Sequence, residues 1–300
     1  VVTEAAGPGD SLLSRLEALV PGASRRTLRQ MIEHGRVLVN GRAARRAADR
    51  VPAGAEVRIL PRKIEGAAPP ALVRIVHEDA HLVVVDKPAG LPTVSARSAA
   101  RASVWSALRR ILRDRKPAGE AHLVHRLDEA TSGLLVFAKT PRVQEALKGL
   151  FEKHGVERRY AAVVAGTMRR PQGELRSLLV ELDDRMHRVR SLRRGDPAKL
   201  RAAAREAVTR WRSLGASEGA TAIEATLETG RKHQVRVHLA EAGHPVLGDR
   251  LYGGPSADRL YLHAWVLGFD HPVARRRLRL VSPPGPAFDA RVPGAFRRPA

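Results

Sequence analysis

Near the N-terminus the apolar positions fall in helical spacing. Leu12, Leu16 and Leu19 stand at i, i+4 and i+7, which predicts an amphipathic helix. Ser24 suits the cap of a second helix, with Leu28, Met31 and Ile32 as its apolar stripe and Gly35 as its stop. The opposite face of that helix carries Arg25, Arg26 and Arg29. Val37-Leu38-Val39 then predicts a strand, Asn40-Gly41 a hairpin turn, and Val57 to Leu60 a later strand. Farther on, Leu82 to Val85 and Leu134 to Phe137 are short unbroken apolar runs, the pattern of strands buried on both faces. Helical spacing returns in Val104, Leu108, Ile111 and Leu112, and again in Val143, Ala146, Leu147 and Leu150. Val235 and Leu239 predict one more helix, ending near Gly243.

These elements divide the chain. Residues 1–10 read as a tail and residues 11–62 as a small α/β module. Residues 63–71 read as a linker, because Gly66 and Pro69-Pro70 interrupt any periodicity. Residues 72–300 read as one mixed α/β (α+β) domain, and 300 residues fit about two domains. The basic, weakly patterned stretch from Arg185 to Arg205 is expected to be a solvated loop between strands. Pro283 to Ala300 is Pro-rich and is expected to contribute little to a core.

Charge adds a partner class. Lys and Arg number 53 against 31 Asp and Glu, a formal net charge of +22 spread along the chain. Such a protein attracts polyanions by counterion release, and its preference for Arg suits phosphate forks and stacking on bases. Cysteine is absent, which excludes disulfide scaffolds, thiolate metal sites and cysteine nucleophiles. No apolar run is long enough for a transmembrane helix, and Val1 to Asp10 lacks the pattern of a secretory signal. A cytoplasmic RNA-binding protein without membrane attachment is expected.

Two constellations carry candidate chemistry. His125-Arg126-Leu127-Asp128-Glu129-Ala130-Thr131-Ser132-Gly133 is a polar loop entering an apolar strand. Asp128 there is either a carboxylate for nucleophilic or base work, kept ionised by a cation, or the acceptor of an Asx-turn. Thr229-Gly230-Arg231-Lys232-His233-Gln234-Val235-Arg236-Val237-His238-Leu239 begins at a turn and enters a helix, with Arg231 ahead of the helix and able to reach a cleft. His122 with His125 and His233 with His238 lack the spacing of a paired metal-binding face. Gly133 to Thr140 only approximates a phosphate-binding loop, since an apolar strand replaces its exposed amides.

Taken together, the blocks resemble the RluA-type family of pseudouridine synthases. His125-Arg126-Leu127-Asp128, Thr131-Ser132-Gly133-Leu134-Leu135, Arg159-Tyr160 and Thr229-Gly230-Arg231 carry the resemblance. So do His233 to Leu239, Gly243-His244-Pro245, Gly248-Asp249 and Tyr252-Gly253-Gly254, with Asp86-Lys87-Pro88-Ala89-Gly90 ahead of them. Lys232 departs from the pattern, where the family often has Thr. The stretch from Ser24 through Val57 resembles the S4 RNA-binding domain, in which the basic second helix faces RNA.

The resemblance implies a catalytic domain with a mixed, largely antiparallel sheet, preceded by a small S4-like α/β module. It implies an isomerase that converts uridine in RNA to pseudouridine without cofactor or metal. Ribosomal RNA, of the large subunit, is the expected partner, with transfer RNA as the alternative, and a monomer is the default. Asp128 is expected to begin glycosidic cleavage and Arg231 to form its ion pair. Tyr160 is expected to lie against the uracil and help remove the C5 proton. Arg126 is expected to fill the space left by the flipped uridine, Leu239 to support the base, and His125 to bond backbone or phosphate. Arg25, Arg26 and Arg29 are expected to contact RNA. The competing reading is a non-catalytic RNA-binding or ribosome-assembly protein on the same fold.

Overall fold

Helix spacing and unbroken apolar runs both survive into three dimensions. A computed structural model describes residues 2–5, 11–33, 37–40, 42–44, 46–52, 54–59, 73–95, 102–115, 119–184, 186 and 188–297. Gly35, Gly41, Arg185 and the 63–71 stretch lie outside the described residues. The chain forms two compact units, Val1–Glu65 and Gly66–Ala300.

The first unit contains β1 (Val2–Ala5), α1 (Leu12–Leu19), α2 (Arg25–Glu33), β2 (Val37–Val39), β3 (Arg42–Ala43) and β4 (Glu56–Ile59). Its antiparallel sheet has the order β1-β4-β2-β3. Ser11 caps α1 and Ser24 caps α2, each accepting from the amide three residues on at 3.2 Å. Leu12, Leu16, Leu19, Leu28 and Ile32 bury their stripes against Val37, Val57 and Ile59. Asn40 adopts the left-handed conformation (φ 48°) and its side chain accepts from the Glu56 amide at 2.9 Å, so it both turns the chain and ties it to β4. The expected tail is corrected here: Val2–Ala5 pairs with β4 from Val2 opposite Ile59 to Ala5 opposite Glu56.

The second unit begins with β5 (Arg74–Glu78), β6 (Leu82–Lys87), α3 (Val104–Arg113), β7 (His122–Leu123), β8 (Ser132–Ala138), α4 (Pro141–Glu152) and β9 (Glu157–Ala165). It continues with β10 (Gln172–Glu181), β11 (Val189–Ser191), α5 (Ala198–Ala203), β12 (Arg205–Ser217), β13 (Ala220–Leu227) and α6 (Gln234–Glu241). β14 (Leu262–Asp270), β15 (Arg277–Val281) and α7 (Pro286–Arg291) complete it. Its strands form one sheet with the path β11-β10-β12-β13-β9-β14-β8-β6-β5, to which β7 adds beside β8 and β15 beside β14. Among the described residues all its pairings are antiparallel except β8 with β14.

The unbroken apolar run of β8 has a simple cause. Leu134 and Val136 point to one face and pack with Val143 and Leu147 of α4. Leu135 and Phe137 point to the other and pack with Val104, Leu108 and Leu112 of α3. At its start Gly133 has φ 111°, and a Cβ there would lie 2.3 Å from the Ala264 carbonyl oxygen. Only glycine permits β8 to approach β14 this closely.

Two expectations are overturned. The stretch from Arg185 to Arg205 is not a plain solvated loop: β11 pairs with β10, α5 follows, and Arg190 forks onto Asp196 at 2.6 and 2.8 Å. The Ser191 amide donates to Glu241 of α6 at 2.9 Å. The C-terminal segment also joins the core, since Phe288, Val292 and Phe296 are buried. Phe296 meets Trp265 and Phe288 edge-on, at 5.8 and 5.6 Å between ring centroids.

Candidate active site

Asp128 projects from the loop between β7 and β8, and the chain is pinned on both sides of it. Thr93 Oγ1 donates to the Leu127 carbonyl at 2.8 Å and accepts from the Leu127 amide at 3.1 Å. The Glu129 carbonyl accepts from Lys87 Nζ at 2.8 Å and from the Gly90 amide at 2.9 Å. Lys87 is fully buried and gives its remaining protons to the Pro88 and Leu91 carbonyls at 2.9 and 2.7 Å. Burial pushes its pKa down to about 7, opposed by Asp128 and Glu129. Three carbonyl acceptors match the three donors of an ammonium.

The carboxylate of Asp128 meets a guanidinium. Arg236 Nη1 donates to Asp128 Oδ2 at 3.1 Å, while Nε and Nη2 fork onto Asp249 at 2.7 and 2.8 Å. Burial works against the charge of Arg236, but Asp249 and Asp128 outweigh it and raise its pKa. No backbone amide among the described residues donates to the Asp128 carboxylate, so the Asx-turn alternative falls away. The start of α6 is fixed by Gln234, whose side-chain amide donates to the Val208 carbonyl and Thr209 Oγ1, both at 3.0 Å. Its oxygen accepts from Thr229 Oγ1 at 2.8 Å.

The expected pairing of Asp128 with Arg231 is therefore corrected. Arg231 is exposed and turns its Nε to the Glu206 carbonyl at 2.9 Å. It stands on the turn ahead of α6, whereas Arg236 lies on a helix whose residues from Gln234 to Leu239 are all buried. A buried arginine requires acidic partners, here Asp249 and Asp128, but the burial that creates the requirement leaves no local signal in the sequence.

Asp128 opens on a cavity of about 460 Å³. Arg126, Arg158, Arg231 and Arg236 line it against two acids, Asp128 and Glu152, a balance suited to a phosphate-bearing substrate. Arg126 is exposed at this wall. Tyr160 of β9 also lines it, and burial, with Asp128 nearby, pushes its pKa up to about 12. Its hydroxyl therefore stays protonated and offers an aromatic face rather than a ready base. His125 takes the backbone alternative: the Val136 amide donates to its Nε2 at 3.2 Å and its ring stacks on Phe151 at 4.5 Å. Burial, followed by the charge of Arg158, pushes its pKa down to about 3.

Leu239 is fully buried in the core and does not line the cavity; Leu227, Val235 and Leu262 form its apolar wall instead. Lys232 is neutralised by an ion pair with Glu181. Arg158, which no motif singles out, is buried beside Tyr160 and donates to the Glu228 carbonyl at 2.9 Å. In the first unit Arg25, Arg26 and Arg29 are all exposed on α2, and Arg25 pairs with Glu17 of α1 at 2.6 Å.

With this geometry in hand, comparison with known proteins is decisive. The family model described as RNA pseudouridylate synthase matches residues 81–241, more than half of the chain. The chain belongs to the RNA pseudouridylate synthase family. A second model, the S4 domain, matches residues 14–57. The ribosomal large subunit pseudouridine synthase D of Xylella fastidiosa is 36% identical over 89% of this chain and 83% of its own. The dual-specificity RNA pseudouridine synthase RluA of Vibrio cholerae is 35% identical over 67% of this chain and 78% of its own. Among solved structures, human RNA pseudouridylate synthase domain containing 4 superposes with a TM-score of 0.58 and 26% identity, covering 75% of this chain and 93% of its own. The synthase thus has the expected largely antiparallel mixed sheet and S4 domain, and its family is one of isomerases. Among the described residues no helix is long and apolar enough to cross a membrane.

Proposed function

We propose that this synthase converts specific uridines of large-subunit ribosomal RNA to pseudouridine, with Asp128 as the essential catalytic residue. The observation that carries the reading is the Asp128 carboxylate, held by Arg236 at 3.1 Å on the wall of a cavity that also presents Tyr160. Small-molecule sites span roughly 300–1,000 Å³, so a flipped nucleotide is an appropriate occupant.

In this reading the N1–C1′ bond of uridine breaks, the uracil turns in place, and C5 joins C1′. The C5 proton then leaves to solvent and N1 gains one. Asp128 starts the cleavage, either by attack on the sugar or by removal of a sugar proton. Arg236 orients the carboxylate and faces the charge it carries. The aromatic face of Tyr160 rests against the uracil, Arg126 takes the place of the flipped nucleotide in the stack, and Arg158 and Arg231 supply charge for phosphate or carbonyl oxygens. The arginines of α2 hold RNA outside the site.

Large-subunit ribosomal RNA is preferred to transfer RNA because relatives bearing that name align over 89% of the chain, against 67% for the dual-specificity relative. A monomer acting in the cytoplasm completes the reading.

The test is tritium release from ribosomal RNA labelled at uridine C5. The wild-type protein is expected to release the label and leave pseudouridine at defined positions, while Asp128→Asn binds the RNA and releases none. Label release at a near-normal rate by Asp128→Asn removes the catalytic assignment. Binding without release by the wild type leaves the non-catalytic RNA-binding reading.

A further inference from the structure

Tyr252 touches neither Asp128 nor the cavity, yet it contacts both side chains that flank Asp128. Its hydroxyl lies 2.7 Å from His233 Nδ1, and the Arg236 guanidinium carbon lies 5.1 Å from the centre of its ring. On its far side the hydroxyl accepts from the Val189 amide of β11 at 3.0 Å. Its ring packs on the small apolar cluster of Leu179, Val189, Ala207 and Val237, which ties β10, β11, β12 and α6 together.

Because the phenol oxygen accepts from Val189, its own proton is available to His233 Nδ1. When Tyr252 gives its proton to Nδ1, the ring proton of neutral His233 sits on Nε2, the nitrogen that lies 3.8 Å from Asp128 Oδ1. Asp128 is thereby approached from two sides, with Arg236 on Oδ2 and the N–H edge of His233 on Oδ1. His233 itself is in the left-handed conformation (φ 54°), which non-glycine residues rarely adopt and which tends to persist where a site demands it.

We infer that Tyr252 is a positioning residue for the isomerisation: it fixes the tautomer and edge of His233, and with it the orientation of the Asp128 carboxylate. This rests on the proposed role of Asp128. It also gives the β11 strand a function, since the Val189 amide holds the phenol oxygen beside His233. The groups facing His233 are Asp128, Asp249, Arg236, Lys232 and Tyr252. Burial lowers its pKa, and protonation of Nδ1 would in addition break the bond from Tyr252. Without the hydroxyl, Nδ1 is open to a proton, and the resulting imidazolium would quench Asp128 in mild acid.

The test is Tyr252→Phe, which keeps the ring over Arg236 and removes only the hydroxyl. In the full chain labelled with ¹⁵N-histidine, the wild-type His233 signals, assigned by their loss in His233→Gln, are expected to show the Nε2–H tautomer. In Tyr252→Phe they are expected to show mixed tautomers and a higher midpoint of titration. On RNA, kcat is expected to fall about five- to tenfold, the worth of one oriented hydrogen bond, with KM within about twofold. The acid limb of kcat is expected to move up by about half to one pH unit. Tyr252→Phe/His233→Gln is expected to lose that movement.

An unchanged tautomer in Tyr252→Phe overturns the inference. So does a changed tautomer with wild-type kcat and pH profile, or a loss of activity that tracks only a lowered Tm. The tautomer measurement does not depend on catalysis. Turnover by Asp128→Asn, in contrast, would overturn the reading of the site while leaving the Tyr252–His233 contact to be judged by its own signals.

Discussion

Arg236 divides its guanidinium between two carboxylates, forking onto Asp249 with two nitrogens and reaching Asp128 with the third at 3.1 Å. Asp249 is almost fully buried and also accepts from the Leu251 and Tyr252 amides at 3.2 and 3.3 Å. The arginine is thus oriented by one acid to serve the other. Lysine preserves charge but cannot fork. Arg236→Lys is expected to lower kcat on the order of a hundredfold in the tritium-release assay. Arg231→Met, which removes a side chain turned toward Glu206, is expected to lower kcat less than about tenfold and to act mainly on KM. The reverse order of the two effects would return the ion-pair role to Arg231.

Lys87 offers a test of how the Asp128 loop is held. Methionine keeps an unbranched apolar stem, one atom shorter, and gives the Pro88, Leu91 and Glu129 carbonyls no donor. Lys87→Met is expected to destabilise the protein by about 3 kcal/mol, near 1 kcal/mol for each lost bond, read from urea denaturation midpoints. A folded Lys87→Met protein is also expected to lose kcat more than RNA affinity, because the anchor lies beside Asp128. Wild-type stability in this variant would mean that the three bonds contribute nothing net.

The sequence reveals some of this and conceals the rest for physical reasons. Leu82 to Val85 and Leu134 to Phe137 are legible as buried strands because helices or other strands cover both faces, leaving no polar alternation. The choice between Arg231 and Arg236 is not legible from order along the chain. Both belong to one motif, and only the orientation of α6 and the acid 13 residues farther on, at Asp249, decide which turns inward. Phe288 and Phe296 stand isolated among prolines, and nothing local indicates that Trp265 waits for them. The hairpin of β11 leaves little trace because its three residues pair at a sheet edge, with one buried side chain, Val189.

Two histidines held neutral in the fold make stability sensitive to mild acid. The pKa of His125 is pushed down to about 3 and that of His263 to about 4, in both cases first by burial. The unfolded chain takes up these protons near pH 6.5, so it binds more protons than the folded one below that value. Stability is therefore complete above pH 6.5 and declines as pH falls toward 4, by up to about 1.4 kcal/mol per pH unit for each group. Urea melts between pH 6.5 and 4.5 are expected to show this slope. His125→Gln, which can still accept from the Val136 amide, is expected to make it shallower. A flat profile in the wild type would mean that these rings are protonated in the fold without cost.

The S4 domain supplies a prediction about affinity alone. Arg26 and Arg29 are exposed on α2, whereas Arg25 already pairs with Glu17 across to α1 at 2.6 Å. If α2 lies along an RNA backbone, each of the first two guanidinium groups releases about one counterion on binding. Arg26→Ala and Arg29→Ala are each expected to reduce the slope of log affinity against log salt by about 0.7 to 1 and to weaken binding across RNA sequences. Arg25→Ala is expected to do less, because Glu17 already offsets the charge of Arg25 and leaves less of it for phosphate. kcat at saturating RNA is expected to be unchanged in all three, since none of them lines the cavity around Asp128. Filter binding at several salt concentrations measures the slopes, and equal slopes for the wild type and Arg26→Ala/Arg29→Ala would take α2 out of the RNA interface.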